Sequence, residues 1–469
     1  MTILRNKMNA NMKRIWTLLA AVFVASASVW GQETGSPENW LGKIVIGGRD
    51  LHIGFSIVSS SEGGKTCTMD VPEQGAKNIP VRLAKDDADS LCIDIPALRA
   101  GYKGRKVSPE RIEGVFTQNG LDLALDLGPG RLEQRRPQTP VPPFAYRTEE
   151  IMFVNEAEGA SLSGTLTYPA GFDSAAEGTV PVVLMVTGSG GQDRNEEVFG
   201  HKPFLVIADF LARHGIASLR YDDRGVGQST GPIQGATTLN NLADAEAGIA
   251  WLRGSGKFGK VGVLGHSEGG TVAFMMGADR SVDFLISLAG TAVSGIDVIV
   301  GQNEAVMMQQ GLPQALVQDY STALRALYKD RVERKEVADP VQYVEALCRE
   351  NGLALPEAFK DNLVKCITAG DEWLTWFLGY DPATAIREIA CPVMALNGNL
   401  DLQVLSKDNL PVIRENLPEN DKHLIREYES LNHLFQHCTI ETALDYGAIE
   451  ETLSEEVLND LARWIRTLE

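Results

Sequence analysis

The chain has no Cys-x-x-Cys pair, no low-complexity tract, no internal repeat and no surplus of basic residues. Each absence excludes something. Without cysteines at metal spacing there is no zinc-ribbon or thioredoxin-type signal. With 43 Lys and Arg against 62 Asp and Glu, the net charge is −19, and no basic cluster is there to hold nucleic-acid phosphates. The acidic balance reads as solubility. Beyond the N-terminus no apolar run is long enough to span a bilayer, so no stable membrane insertion of the mature chain is expected. The six cysteines (Cys67, Cys92, Cys348, Cys366, Cys391 and Cys438) allow about 15 pairings. Cys67–Cys92 and Cys348–Cys366 are the locally plausible pairs, and free buried thiols are an equal reading.

What is present begins with an export signal. Arg5, Lys7, Lys13 and Arg14 precede an apolar stretch from Ile15 to Val29, which gives way to Gly31-Gln-Glu. Basic flank, short apolar core and small residue predict a secretory signal peptide over residues 1–31 and a periplasmic or secreted protein. The 469 residues suit two or three domains.

Residues 38–130 alternate short period-2 runs with Gly, Asp and Asn turns, among them Leu51-His-Ile-Gly-Phe-Ser-Ile-Val and Ser90-Leu-Cys-Ile-Asp-Ile. Such spacing predicts a small antiparallel barrel or sandwich. It carries no visible chemistry, which leaves a glycan or partner contact as its expected role. Residues 131–148 include Arg135-Arg-Pro-Gln-Thr-Pro-Val-Pro-Pro, too proline-dense for helix or sheet, and read as a linker. From residue 149 to 469, near-continuous apolar strands alternate with helices. That pattern predicts a doubly wound, mostly parallel sheet covered on both faces. A mostly helical insertion over about 292–381 interrupts it and would lie at the carboxyl edge of the sheet as a cap.

The chemistry centres on Gly265-His-Ser267-Glu-Gly269, which follows the apolar strand Val261-Gly-Val-Leu and precedes Thr271-Val-Ala-Phe-Met-Met. Strand, Gly-x-Ser-x-Gly and helix make the sequence form of a nucleophile elbow. The glycines Gly265 and Gly269 are needed because side chains there would collide with the adjoining strand and helix. A serine hydroxyl is a poor nucleophile at neutral pH; it needs a base, a group to hold the base, and donors for the oxyanion. Asp401 follows the strand at Val393–Leu396, and His433 follows the strand at Leu424–Tyr428. The order Ser, Asp, His is that of the α/β-hydrolase fold. The oxyanion donors are then expected to be the backbone N–H of Glu268 and, from the glycine-rich loop Thr187-Gly-Ser-Gly-Gly, that of Ser189.

Other polar residues read as structural. His266 is expected to point away from the Ser267 hydroxyl. His437, four residues after His433, lacks the Glu of His-Glu-x-x-His, and no metal site is expected. Asp222-Asp-Arg224 sits where a strand meets a turn and suggests ion pairing. Trp373, Trp376, Phe377 and Tyr380 either line an acyl pocket or pack in the core.

Together, Gly188-Ser-Gly-Gly-Gln-Asp-Arg-Asn, Gly200-His-Lys-Pro-Phe-Leu-Val-Ile-Ala-Asp, Leu219-Arg-Tyr-Asp-Asp-Arg-Gly-Val-Gly-Gln-Ser, Gly265-His-Ser-Glu-Gly-Gly and Leu431-Asn-His-Leu-Phe-Gln resemble the exported bacterial α/β-hydrolases related to the EstD-type carboxylesterases. The likeness runs from about Glu149 to the end and includes Ile449-Glu-Glu-Thr-Leu-Ser and Leu461-Ala-Arg-Trp-Ile. The β-domain and proline linker resemble those attached to such enzymes in Bacteroidetes-like bacteria. Gly191 departs from the proline found in many relatives. The resemblance implies Ser267, Asp401 and His433 as a catalytic triad and hydrolysis of a small-molecule ester, with no cofactor. A serine peptidase of the same fold, an aminopeptidase or dipeptidyl-peptidase, is the alternative, with Glu345, Glu350 and Glu357 of the insertion as candidates for a substrate amine.

Overall fold

A computed structural model describes residues 37–46, 49–59, 64–132, 135–173, 177–368 and 371–468; the expected signal over residues 1–31 lies outside them. Chain contacts divide it into two units, Met1–Arg135 and Arg136–Glu469.

The first unit is all β. Its strands are β1 (Glu38–Ile46), β2 (Arg49–Ser59), β3 (Lys65–Val71), β4 (Ala76–Asp86), β5 (Ser90–Ile95), β6 (Ala100–Ser108), β7 (Arg111–Gln118), β8 (Leu121–Ala124) and β9 (Leu127–Pro129). They pair antiparallel in the order β6-β5-β4-β3-β2-β1-β9-β7-β8, and β6 also pairs with β7. That pairing closes a ring of eight strands and decides for the barrel over the sandwich. Closure satisfies the edge N–H and C=O groups that an open sheet would expose. The alternation of β5, with Leu91, Ile93 and Ile95 buried, sends every second side chain to the interior. Tyr102 fills the core opposite two glycines: a Cβ at Gly104 or Gly114 would lie 2.5 or 2.3 Å from its hydroxyl.

The second unit is built on an eight-stranded sheet of β10 (Thr148–Asn155), β11 (Ala160–Thr167), β12 (Val182–Val186), β13 (Ala217–Tyr221), β14 (Val261–His266), β15 (Phe284–Leu288), β16 (Val393–Gly398) and β17 (Leu424–Tyr428). The order is β10-β11-β13-β12-β14-β15-β16-β17. β10 and β11 run antiparallel, and the six strands from β13 to β17 run parallel. β12, β14, β15 and β16 are buried along their whole length, as a parallel sheet covered on both sides requires. This is the α/β-hydrolase fold.

The helices are α1 (Pro203–Arg213), α2 (Thr238–Gly254), α3 (Glu268–Ala278), α4 (Gly295–Gln309), α5 (Gln314–Val332), α6 (Pro340–Glu350), α7 (Glu357–Thr368), α8 (Glu372–Gly379), α9 (Ala383–Ile386), α10 (Ser406–Asn416) and α11 (Glu455–Arg466). α1 and α11 share one hydrophobic cluster with the sheet, and α2, α3 and α10 share another. α11 shows why such a segment folds: Val457, Leu458, Leu461, Ala462, Trp464 and Ile465 form one buried stripe. Glu455 and Glu456 open the helix and Arg463 and Arg466 close it, matching the helix dipole. Each large apolar side chain buried there contributes about 1.5–3 kcal/mol. Between β15 and β16, helices α4 to α8 form the insertion and have a core of their own around Val317, Tyr320, Leu324, Leu327 and Leu363.

The proline-dense segment does not run free. Arg136 donates to the carbonyls of Phe199, Gly447 and Ile449, and Gln138 exchanges hydrogen bonds with the backbone of Thr452 and Leu453. Its part from Arg136 onward is thus packed within the second unit. All six cysteines are free thiols, so neither of the locally plausible disulfides is formed.

Candidate active site

Ser267 stands at the end of β14 with φ 54° and ψ −120°, a conformation that costs a non-glycine residue free energy. Close packing holds it there. A Cβ on Gly265 would lie 1.8 Å from the carbonyl oxygen of Gly269, and one on Gly269 would lie 2.3 Å from that of Val186. The Ser267 N–H donates to the Leu288 carbonyl, tying the elbow to β15. Both expected elbow glycines are therefore sterically required.

The loop after β12 lies directly on this turn: a Cβ on Gly188 would sit 3.2 Å from Cβ of Ser267. The Gly188 N–H is already taken, since it donates to Oε1 of Glu196 at 2.9 Å. The N–H groups of Ser189 and Glu268 donate to no acceptor among the described residues. Glu268 opens α3, where the first N–H groups point outward unsatisfied.

Asp401 and His433 meet. His433 Nδ1 lies 2.8 Å from Oδ2 of Asp401, and both side chains are buried. The other carboxylate oxygen of Asp401 accepts from the N–H groups of Gln403 and Val404 at 2.8 and 2.9 Å. β16 and β17 are parallel neighbours, so loops leaving their carboxyl ends emerge side by side. The Leu431-Asn-His-Leu-Phe-Gln segment is a tight turn. Asn432 Oδ1 accepts from the N–H groups of Leu434 and Gln436, and Phe435 has φ 58°. Gln436 also accepts from Asn432 Nδ2 and donates to the carbonyl of Glu451. His201 closes the same corner, with Nδ1 2.9 Å from Thr452 Oγ1 and Nε2 3.0 Å from the carbonyl of Tyr446.

His266 links the elbow to His433. Its Nε2 lies 3.0 Å from the His433 carbonyl oxygen, its Nδ1 lies 2.9 Å from Oε1 of Glu196, and the two imidazole centroids are 4.7 Å apart. Burial pulls the His266 imidazolium down, but Glu196, the His433 carbonyl and Asp401 outweigh it and hold its pKa above the ordinary value. Nothing in the sequence singled out Glu196. It lies just past the glycine-rich loop with φ 53° and is buried.

The acidic pair at the end of β13 anchors the glycine-rich loop. Asp222 binds the guanidinium of Arg194 at 2.7 Å, and Arg194 also reaches Glu150, Thr165 and Ser163. Asp223 accepts from Thr187 Oγ1 and the Gln192 N–H, and burial pushes its carboxyl up to about 8. Arg224 pairs with buried Asp244 at 2.8 Å. The ion-pair reading of this segment holds for Asp222 and Arg224, while Asp223 has no cation opposite it among the described residues.

Of the aromatics, Trp373 stacks on Phe377 and Trp376 on Tyr380. Trp373 Nε1 reaches across to Oε1 of Glu268 at 2.9 Å, an oxygen that also accepts from Thr238 Oγ1. Glu345, Glu350 and Glu357 lie on exposed faces of α6 and α7, and Glu345 pairs with Lys360 at 2.7 Å. His437 faces solvent and pairs with Glu451 at 2.9 Å.

A profile of the X-Pro dipeptidyl-peptidase (S15) family matches residues 158–429, more than half of the chain. The chain belongs to that family. This S15-family chain is also 26% identical over 306 residues to Esterase EstD of Thermotoga maritima; the match spans 65% of each, less than two thirds of that esterase's length. Among solved structures it is similar to the esterase Pf2001 of Pyrococcus furiosus, at 14% identity and TM-score 0.41, covering 72% of this chain and 99% of that one. The esterase domain of a Rhodothermus marinus protein matches at 15% identity and TM-score 0.37, over 68% and 98%. The matched span contains Ser267 and Asp401 and stops at Glu429, four residues before His433.

Proposed function

We propose that this chain is a serine hydrolase that cleaves carboxylic esters through an acyl-enzyme on Ser267. The 2.8 Å bond from His433 Nδ1 to Asp401 Oδ2, beside the Ser267 elbow, carries this reading. It leaves Nε2 of His433 as the ring nitrogen able to take a proton. In the proposed sequence Ser267 attacks the ester carbonyl as His433 accepts its proton. The N–H groups of Ser189 and Glu268 stabilise the oxyanion, and the protonated His433 passes the proton to the leaving alcohol. Asp401 keeps the ring in one tautomer and balances the imidazolium. Water then repeats the cycle and frees the acid. No step calls for a cofactor.

The similarity to Esterase EstD supports an ester substrate. The S15 family match favours a second reading, a dipeptidyl-peptidase acting through the same residues. In that reading Glu345, Glu350 and Glu357, all exposed, are the candidates for a substrate amine. A fluorophosphonate is expected to label wild type and not Ser267→Ala; equal labelling of both would end the assignment. Turnover of p-nitrophenyl esters without turnover of aminoacyl-anilides supports the esterase, and the reverse result the peptidase. The same proposal has residues 1–31 directing export and the barrel contacting a glycan or protein partner. N-terminal sequencing of the mature chain and polymer binding by a barrel-deleted variant test these two points.

A further inference from the structure

His266 is an imidazole of this site that the proposed mechanism leaves unused, and its surroundings define what it does. Both of its ring nitrogens face acceptors that carry no proton to give. Oε1 of Glu196 stands 2.9 Å from Nδ1, and the carbonyl oxygen of His433 stands 3.0 Å from Nε2. A neutral imidazole has one N–H and one lone pair, so one of these contacts would set two lone pairs against each other. In a buried site such a clash costs more than in water. An imidazolium satisfies both. The charge is matched at contact distance by Glu196, whose side chain is buried with it.

Glu196 does a second thing. The same Oε1 accepts the Gly188 N–H at 2.9 Å, and Gly188 begins the loop that packs on Ser267. One carboxylate oxygen therefore holds the glycine-rich loop and His266, and His266 holds the main chain of His433. The three parts of the proposed machinery come from loops far apart in sequence, and this pair is where they join.

We infer that His266, as an imidazolium paired with Glu196, is a positioning residue that fixes the His433 backbone and the Gly188–Ser189 loop relative to Ser267. The charged pair also lies close to the proposed base: the His266 and His433 ring centroids are 4.7 Å apart. The other titratable groups facing this cluster are Asp401, bonded to His433; Asp223, whose carboxyl feels Glu196; and Cys438 and Tyr446, which feel Asp401 and are held neutral mainly by burial.

This inference rests on the serine-hydrolase reading, and the experiment separates the two. Ester hydrolysis is measured on wild type, Ser267→Ala, His266→Gln, Glu196→Gln and the double variant across pH, with fluorophosphonate labelling in parallel. If Ser267→Ala retains activity, the hydrolase reading fails and this inference with it. If Ser267→Ala is inactive, His266→Gln is expected to lose on the order of 10- to 100-fold in kcat with KM little changed, as for a small misplacement of a base. Its acid limb in kcat/KM is expected to move to higher pH, because Glu196 is left without its cation. The double variant, with both charges removed, is expected to lie closer to wild type in that limb. An unchanged kcat and limb in folded His266→Gln, or a loss confined to KM, overturns the inference. Should these variants fail to fold, 15N-histidine NMR of the wild type decides: His266 is expected to stay an imidazolium to higher pH than an ordinary imidazole, and loss of that proton at or below the ordinary range overturns it.

Discussion

Trp373, on a helix of the insertion, donates its indole N–H to the carboxylate of Glu268, the residue that follows Ser267 in the chain. The insertion is thus hydrogen-bonded to the first turn of the elbow helix, at the residue between the proposed nucleophile and the elbow glycine Gly269. Glu268 is buried, and its other oxygen has no partner among the described residues. Removing the indole donor leaves Oε1 with Thr238 alone.

Trp373→Phe keeps the stack on Phe377 and deletes the N–H. The expected result is a loss of about 1–3 kcal/mol in stability, the usual cost of leaving a buried acceptor short of a donor. The kcat for ester hydrolysis should fall, since the Glu268 backbone N–H moves with its helix turn. Thermal unfolding and steady-state kinetics check the two halves separately.

Asp401→Asn preserves shape while removing the charge opposite His433 Nδ1. Its side-chain amide can present N–H where the carboxylate accepted, which favours the wrong tautomer of His433. In the Ser-His-Asp template this change lowers kcat by about 10⁴. A loss of that order is expected here, with fluorophosphonate labelling slowed in parallel. A kcat within a few-fold of wild type would remove Asp401 from the proposed triad.

Gly188→Ala places a methyl 3.2 Å from Cβ of Ser267, with the Glu196 carboxylate and the His266 carbonyl at 3.5 Å. The loop must shift outward, and the Ser189 N–H shifts with it. Activity is expected to fall on the order of 10- to 100-fold. Overpacking should lower stability by about 1–3 kcal/mol. Gly254→Ala, where nothing lies within 4 Å of the added carbon, is the control and should leave kcat unchanged.

Asp223→Asn tests a buried carboxyl. Burial raises its pKa from the ordinary value of 3.8 to about 8 in the folded chain. The folded state therefore holds a proton that the unfolded state has already released, so stability falls as pH rises through this window. An asparagine there can keep accepting from Thr187 and Gln192 and never ionises. The variant should gain on wild type by about 1.4 kcal/mol for each pH unit between roughly 4 and 8. Urea unfolding at several pH values reads this directly, and parallel stability curves would refute it.

Much of the fold could be read in advance because its signals are local. The run Val261-Gly-Val-Leu before Ser267 and the glycines at 265 and 269 reflect contacts within one turn, and β14 and α3 lie where the pattern placed them. β6 was not legible. Gly101, Gly104 and a run of basic residues weaken its alternation, and Gly104 is needed because it pairs with Gly114 to leave room for Tyr102. Closure of the barrel was equally hidden, because the β6–β7 and β1–β9 pairings depend on twist summed over eight strands.

The sequence by itself determined the elbow, the order Ser267, Asp401, His433 and the alternation of strand and helix, since each depends on residue type and spacing. Only the tertiary structure decided that Asp401 and His433 touch, that Trp373 reaches Glu268, and that Glu196 and His266 join the glycine-rich loop to the turn of His433. Those contacts link residues from 32 to 167 positions apart. Their partners are chosen by strand order and by which buried polar atoms remain to be satisfied, and neither is written in any one segment of the chain.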